Sequence, residues 1–164
     1  MTVPRMLFGV CGGFLFDTLW APMEKAIRMY ADGGARGNPG PAAGGSVLVK
    51  IDDDGMDGDV VAEVGKYLGT ATNNQAEYTG IIIGLEKAKE LGYNVVECRL
   101  DSELAVKQLN GEYRVKNPEL AKLFLVVHNL RTHFRKVTFT HVRREYNKRA
   151  DAMVNKTIDA ALQL

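Results

Sequence analysis

Four acidic residues of this chain stand where sequence patterns predict the end of a strand or the start of a helix. They are Asp32, Glu77, Asp101 and Asp151. Magnesium prefers octahedral oxygen coordination and keeps several waters, so a few carboxylates and a substrate phosphate can hold two ions. Two ions about 3.5–4 Å apart stabilise both the attacking and the leaving oxygen of a phosphodiester displacement. One such acid alone is more simply explained as an exposed charge or a helix cap, so the hypothesis depends on the set.

A loop rich in glycine and proline follows the first of these acids. Residues 27–32 alternate apolar and polar side chains, which predicts a strand that ends at Asp32, and residues 33–41 then break it. Dinucleotide-binding and nucleotide-binding loops need a helix directly after the glycines, and the second also needs Gly-Lys-Ser or Gly-Lys-Thr. Pro39 and Pro41 disfavour that helix, and no such lysine follows. Asp32 is therefore expected to project from a rigid strand.

The rest of the chain predicts the elements that must position the other three acids. Strands are expected over 47–51, 60–68, 95–100 and 137–142, and helices over 73–91, 102–109, 118–134 and 148–160. Thr72 followed by Gln75 is a capping-box pattern, and Gly92 marks the end of that helix. Glu77 and Asp151 fall in the first turns of their helices, where the helix dipole stabilises an acid whatever its function.

Composition indicates one domain with a polarised charge distribution. The 164 residues are enough for a single well-buried core. Net charge is only +1, so affinity for nucleic acid must come from a local patch. Residues 131–149 supply seven basic residues against one acid, Glu145, and their overlap with His141 and Asp151 favours phosphate contact over a merely solvated face. The acidic residues 52–59 lack the ligand spacing of a calcium loop and predict an exposed hairpin tip.

The first 22 residues differ from the remainder. Met6 to Phe16 is an apolar run, too short for a bilayer span of about 20 residues, and no small-x-small cleavage site precedes Met23. An extension packed on the domain or on a neighbour, an unstructured tail and an export signal all remain open. We therefore divide the chain into an extension of unknown role, residues 1–22, and a domain, residues 23–164. Cys11 and Cys98 show no metal-site or disulfide spacing, which is typical of a cytosolic protein.

Five motifs together resemble the ribonuclease H type 1 family over about residues 23–160. They are Asp32-Gly33-Gly34, Gly37-Asn38-Pro39-Gly40-Pro41, Thr72-Asn73-Asn74-Gln75-Ala76-Glu77, Leu100-Asp101-Ser102, and His141 through Asn147 to Asp151. The resemblance implies an α/β ribonuclease H-like fold, with a five-stranded mixed sheet and helices on both faces. It also implies hydrolysis of the RNA strand of RNA/DNA hybrids to give 3′-hydroxyl and 5′-phosphate ends.

The same resemblance implies roles for individual residues. Asp32 would bridge two Mg²⁺ ions, for which Mn²⁺ is expected to substitute; Glu77 and Asp101 would complete one ion's shell, and Asp151 would bind the ion that activates the water. His141 would shuttle protons or assist product release. Substrate contacts are expected from Gly33, Ala35, Asn38, Thr72, Asn73, Asn74, Glu103, Arg143, Arg144 and Asn147.

Two departures from the family pattern bear on the substrate. Glu103 stands where many members carry an uncharged glutamine, and residues 110–119 form a short connector in place of a basic helix and loop. Two other functions remain open: a catalytically silent nucleic-acid-binding module, and another nuclease of the same fold, such as a transposase or junction resolvase core. The expected partner is an RNA/DNA hybrid duplex, bound by a cytoplasmic monomer with no membrane association and no obligate protein partner.

Overall fold

The structure, a computed structural model, describes residues 23–164, in which three consecutive strands precede the first helix. The predictions made for residues 1–22 lie outside the described residues. The strands are β1 (Ala26–Ala35), β2 (Gly40–Ile51), β3 (Asp57–Ala71), β4 (Val95–Leu100) and β5 (Lys136–His141). The helices are α1 (Asn73–Glu90), α2 (Glu103–Leu109), α3 (Pro118–Arg131) and α4 (Lys148–Leu162), with a 3-10 turn at Arg144–Tyr146 before α4.

The five strands form one mixed sheet in the order β3-β2-β1-β4-β5. Strands β1, β2 and β3 pair antiparallel, whereas β4 runs parallel to β1 and β5 runs parallel to β4. Ala31 of β1 lies opposite Leu100 of β4, and Leu100 lies opposite His141 of β5. Asp32 follows Ala31 and Asp101 follows Leu100, so the register brings both acids and His141 to the same end of the strands.

Helices cover both faces of this sheet, as predicted. Helices α1, α2 and α3 bury the larger core, in which Met29 and Leu48 of the sheet contact residues such as Tyr78 and Val127. Helix α4 covers the opposite face, where Ala150 packs with Tyr30 and with two valines of β2. Each large apolar side chain buried in this way contributes about 1.5–3 kcal/mol to folding. None of the helices described in residues 23–164 combines the length and apolarity needed to cross a membrane.

Strand β2 begins at Gly40, seven residues before the strand that the sequence pattern predicts. The early part of β2 is built from glycine and alanine because helices approach it closely on both faces. A Cβ atom on Gly44 would lie 2.4 Å from the backbone nitrogen of Gly80 in α1, and one on Gly45 would lie 3.0 Å from that of Val154 in α4. No apolar side chain fits there, so the alternating pattern that indicates a strand is absent.

Helix α3 is shorter than predicted. Thr132 follows its last residue, Arg131, and the Thr132 backbone N–H donates to the carbonyl groups of Asn129 and Leu130. The apolar residue Phe134 lies beyond this end and is buried in the core without being helical. Helical spacing of apolar residues therefore predicted burial correctly and overestimated the helix by one turn.

Candidate active site

A cleft of about 520 Å³ opens at the carboxyl ends of β1 and β4. All four acids that the sequence singles out, Asp32, Glu77, Asp101 and Asp151, line this cleft. The other residues lining it are Gly33, Gly34, Ala35, Arg36, Asn73, Ser102, Arg144, Val154, Asn155 and Ile158. In open α/β sheets, ligand sites usually lie at the carboxyl ends of the strands.

Glu77 reaches Asp32 because α1 packs against β1 without an intervening side chain. A Cβ atom on Gly33 would lie 2.0 Å from the carbonyl carbon of Ala76 and 2.1 Å from the nitrogen of Glu77, a distance at which atoms overlap. Only glycine at position 33 allows this approach. The Gly33 N–H also donates to Asp32 Oδ1 at 2.8 Å, which orients the carboxylate. Gly33 was predicted to contact substrate, and the structure adds this positioning role.

Negative charge in the cleft is poorly compensated. Burial, followed by the charge of Asp101, raises the pKa of Asp32 to about 7, and the charges of Asp151 and Glu77 add to the shift against the hydrogen bond from Gly33. Burial also raises the pKa of Glu77, although a hydrogen bond from a serine opposes the shift. A carboxyl group in such surroundings is stabilised by a bound cation.

Hydrogen bonds from neighbouring side chains orient two of these acids, and the four acids do not cluster closely around one point. Asn147 Nδ2 donates to Asp101 Oδ1 at 3.0 Å, and Ser102 Oγ donates to Glu77 Oε2 at 2.8 Å. Within residues 23–164 no three His, Cys, Asp or Glu side chains come together closely enough to chelate one ion. Magnesium needs only one or two carboxylates, because water and substrate phosphate complete its shell. Four acids around one cleft therefore fit two shared ions better than a single closed site.

Asn147 does not lie where a substrate contact was predicted. It is 1% exposed, and its Nδ2 group donates to the carbonyl oxygen of Ala31 at 2.9 Å as well as to Asp101. Its Oδ1 atom is buried without a hydrogen-bond partner among the described residues. A buried side chain beneath the cleft cannot contact a duplex, so we reassign Asn147 from substrate contact to holding Asp101.

Three predicted residues are exposed near the cleft without lining it. His141 is exposed at the end of β5. Glu103 is exposed in the first turn of α2, where it pairs with Lys107 at 2.8 Å. Arg143 is also exposed and lies 3.8 Å from Glu145. In contrast, Arg144 lines the cleft and lies 3.5 Å from Asp151 Oδ1.

Two of the asparagines that are predicted to contact substrate also form hydrogen bonds within the protein. Asn73 Oδ1 accepts from the Ala35 N–H at 2.8 Å, and Asn38 Oδ1 accepts from the Asn73 N–H at 3.2 Å. Each amide oxygen already accepts one hydrogen bond, and the NH₂ group of each asparagine is the donor that it offers to a substrate. The Thr72 hydroxyl closes the capping box with Gln75, as predicted.

A second cavity of about 350 Å³ lies beside this cap. It is lined by Asn38, Thr72, Asn74, Gln75, Asn117, Glu119 and Leu120. Asn117 was not predicted as a site residue; it is the N-cap of α3, and its Oδ1 accepts from the backbone of Glu119 and Leu120. Its place in the cavity follows from the packing of α3 near the start of α1, which no local sequence pattern reveals.

Two further residues of the main cleft were missed by sequence reasoning. Ser102 directly follows Asp101 and caps α2, a position that indicated a helix start and not a contact to Glu77. Arg36 lines the cleft and forms an ion pair with Asp159 of α4, a residue 123 positions away. A contact over that separation has no signal in a single sequence.

Comparison with known proteins agrees with this geometry. The sequence family described as "Reverse transcriptase-like" matches residues 30–157. A curated relative, ribonuclease HI of Halobacterium salinarum, is 45% identical over 135 residues, which are 82% of this chain and 65% of that protein. A bifunctional protein of Mycobacterium tuberculosis is 43% identical over 84% of this chain and 36% of its own length. The chain thus spans less than two thirds of these curated relatives.

A solved structure resembles the whole domain. The crystal structure of LC11-RNase H1 in complex with an RNA/DNA hybrid is 42% identical, with a TM-score of 0.75, over 83% of this chain and 99% of that one. The sheet order, the helices on both faces and the acid-lined cleft define a ribonuclease H-like protein. With these relatives, the chain belongs to the ribonuclease H type 1 family.

Proposed function

We propose that this protein is a magnesium-dependent endoribonuclease that hydrolyses the RNA strand of RNA/DNA hybrids and leaves 3′-hydroxyl and 5′-phosphate ends. The observation that carries the proposal is the meeting of Asp32, Glu77, Asp101 and Asp151 in one cleft where, among the described residues, only Asp151 has a cationic partner, Arg144 at 3.5 Å. The hybrid-bound structure of the LC11 relative supports the choice of substrate.

The four carboxylates would hold two Mg²⁺ ions, with Mn²⁺ as the expected substitute. Ions at such a site supply electrostatic stabilisation of the attacking and leaving oxygens in an in-line displacement. The protein contributes orientation: Gly33 fixes the Asp32 carboxylate, Ser102 fixes Glu77 and Asn147 fixes Asp101. Because these contacts exist before substrate binds, little side-chain ordering is left for the reactive complex.

Hybrid selection would come from donors on the rim of the cleft. The NH₂ groups of Asn38 and Asn73 would donate to acceptor atoms of bases and sugars, and the 2′-hydroxyl is the group that distinguishes RNA from DNA. The two asparagines belong to two different segments, the β1–β2 loop and the start of α1, so they would contact successive nucleotides. Arg144 in the cleft and the exposed Arg143 would contact phosphates.

His141 would hold or deliver a proton. It is exposed at the edge of the sheet, so its imidazole is not fixed by packing and can turn toward a leaving group or product. An imidazole can both accept and donate a proton, as this role requires.

A cleavage assay on a panel of labelled duplexes tests the proposal. Matched RNA/DNA, RNA/RNA and DNA/DNA duplexes are incubated with Mg²⁺ or with EDTA, and DNA duplexes carrying one to six consecutive ribonucleotides are added to the panel. We expect Mg²⁺-dependent cleavage of the hybrid, a requirement for several ribonucleotides, and product ends that ligation and phosphatase treatment identify as 3′-hydroxyl and 5′-phosphate. Binding of hybrid without cleavage would identify a silent binding module, and efficient cleavage beside a lone ribonucleotide would contradict the proposed contacts.

A further inference from the structure

The 3-10 turn before α4 separates the catalytic cleft from another cavity. Arg144, the first residue of the turn, lines the cleft, whereas Tyr146, the last, lines a cavity of about 200 Å³. We call this the Tyr146 cavity; its lining residues are Tyr30, Asp57, Glu145, Tyr146, Lys148 and Arg149. Tyr30 lies two residues before Asp32 on β1. A nucleic-acid strand that leaves the cleft past Arg144 therefore meets the Tyr146 cavity next.

The rim of the Tyr146 cavity carries an exposed ring and cations that the described residues do not neutralise. Tyr146 is 67% exposed. Lys148 and Arg149 are exposed in the first turn of α4, where the helix dipole disfavours positive charge. Within residues 23–164 neither of them forms an ion pair. Exposed aromatic rings beside unpaired cations are typical of surfaces that bind single-stranded nucleic acid.

The cavity is also lined by two carboxylates. Asp57 is balanced within the protein, because it accepts hydrogen bonds from Arg28 and from the Tyr30 hydroxyl, each at 2.7 Å. In contrast, among the described residues the exposed Glu145 has a cation only at 3.8 Å, on Arg143. Carboxylates repel phosphate, but they accept hydrogen bonds from the exocyclic amino groups of bases. The charge distribution therefore favours a base inside the cavity and a phosphate on Lys148 and Arg149.

We propose that the Tyr146 cavity binds one unpaired nucleotide of a strand that extends beyond the hybrid held in the cleft, with its base stacked on Tyr146. An unpaired nucleotide is required because a base inside a duplex has both faces and its pairing edge occupied. The proposal rests on the proposed function for the position of the hybrid, but it concerns a contact outside the catalytic cleft.

Binding of matched hybrids with and without single-stranded extensions tests this proposal. One hybrid is prepared blunt, or with a short extension at the 5′ or the 3′ end of either strand, and its affinity is measured by fluorescence anisotropy in EDTA, so that no cleavage occurs. We expect one extension to tighten binding by at least about fivefold, the gain expected from one stacked base. Tyr146→Ala abolishes this gain and Tyr146→Phe, which retains the ring, preserves it.

Tyr67→Ala provides the matched control, because Tyr67 is an exposed tyrosine that lines neither the cleft nor the Tyr146 cavity and lies ten residues along β3 from Asp57. It should leave the gain unchanged. Equal affinity for blunt and extended hybrids, or a gain that survives Tyr146→Ala, would overturn the proposal; so would an equal loss of affinity for every duplex in Tyr146→Ala. Cleavage of the blunt hybrid with Mg²⁺ is measured in parallel. Absence of this cleavage in the unaltered protein would contradict the proposed function. The anisotropy measurement tests nucleotide binding by the Tyr146 cavity independently of cleavage.

Discussion

Two clusters of charged side chains lie along strand β1, four residues apart, and they differ in how their charge is balanced. The first surrounds Arg28, which is 6% exposed and donates to Asp57 at 2.7 Å, to Glu97 at 2.9 Å and to the carbonyl oxygen of Gly55 at 3.1 Å. The second surrounds Asp32, where acids face one another across the cleft. The first cluster is complete within the protein, and the second is not.

The pKa shifts of one acid in each cluster make the difference explicit. Burial raises the pKa of Asp57, but hydrogen bonds from Arg28 and Tyr30 outweigh burial and lower it. Burial and the neighbouring acids instead raise the pKa of Asp32 to about 7. A balanced cluster is expected to stabilise the fold, whereas the unbalanced cluster has the excess negative charge that the proposed Mg²⁺ site requires. The substitutions below should therefore have opposite effects in the two clusters.

The largest expected effect is on cleavage in Asp32→Asn. The substitution removes a metal-binding charge at nearly constant shape, and we expect cleavage to fall at least about 10³-fold, since metal ions supply several kcal/mol of transition-state stabilisation. Asp57→Asn is the matched control in the Arg28 cluster and should cleave at nearly the unaltered rate. Initial rates on the RNA/DNA hybrid at saturating Mg²⁺ measure the cleavage activity of both variants. Near-normal cleavage by Asp32→Asn would refute the assignment of the acids.

Arg28→Met should reverse that pattern. It leaves Asp57 and Glu97 without their partner, and we expect the free energy of unfolding to fall by about 2 kcal/mol, less than the ~3–5 kcal/mol typical of a fully buried pair. The reduction follows from the carboxylates, which are 31% and 40% exposed and can hydrate. Urea unfolding measures the loss, and the cleavage rate of folded protein should stay close to normal. An unchanged unfolding midpoint would show that the Arg28 cluster does not stabilise the fold.

Asn147→Ala should lower the stability of the fold and raise the Mg²⁺ requirement, because Asn147 bonds both the backbone of β1 and the carboxylate of Asp101. It removes the hydrogen bonds to Asp101 and to the buried carbonyl of Ala31, which costs about 1–3 kcal/mol. We expect about tenfold more Mg²⁺ to be needed for half-maximal cleavage, as for residues that orient metal ligands elsewhere. The control is Asn155→Ala, since Asn155 contacts the Asp151 carboxylate only at 3.5 Å. An equal Mg²⁺ requirement in both variants would show that Asn147 stabilises the fold without orienting a metal ligand.

The smallest expected effect concerns Ser102. Its hydroxyl accepts from the Ala105 N–H at the start of α2 and donates to Glu77. Ser102→Ala should cost about 1 kcal/mol for the lost cap and should raise the pKa of Glu77 further, because the hydrogen bond from Ser102 lowers it. Mg²⁺ binding, followed by calorimetry, should therefore weaken most on the acidic side of neutrality. Ser102→Thr keeps the hydroxyl and should behave normally; a defect of equal size in Ser102→Thr would show that shape, not the hydrogen bond, matters.

The sequence predicted the parts of the cleft that depend on local patterns. The strand that ends before Asp101 and the capped helix that carries Glu77 follow from periodicity and capping, and the structure places these acids together with Asp32. The prediction that the first strand ends at Asp32 was wrong, because β1 continues to Ala35 and residues 33–35 still pair with β2 although their glycines remove the alternating pattern. The early part of β2 was missed because close helix packing selects glycine there and removes the apolar pattern. Asn147 was misassigned for a related reason: its burial depends on long-range packing among β1, β4 and α4.

The measurement that tests the central claim most directly is thermal unfolding of the unaltered protein and of Asp32→Asn, with and without Mg²⁺, at pH 4 and pH 8. Since the pKa of Asp32 is raised from 3.8 to about 7 by folding, its protonated form stabilises the native state, and this contribution is lost as pH rises toward 7. Without metal, Asp32→Asn should therefore melt higher than the unaltered protein at pH 8 and alike at pH 4. Mg²⁺ at pH 8 should raise the melting temperature of the unaltered protein and raise that of Asp32→Asn much less. Equal melting temperatures at pH 8 together with equal responses to Mg²⁺ would contradict the claim that the unbalanced charge of the cleft is a metal site.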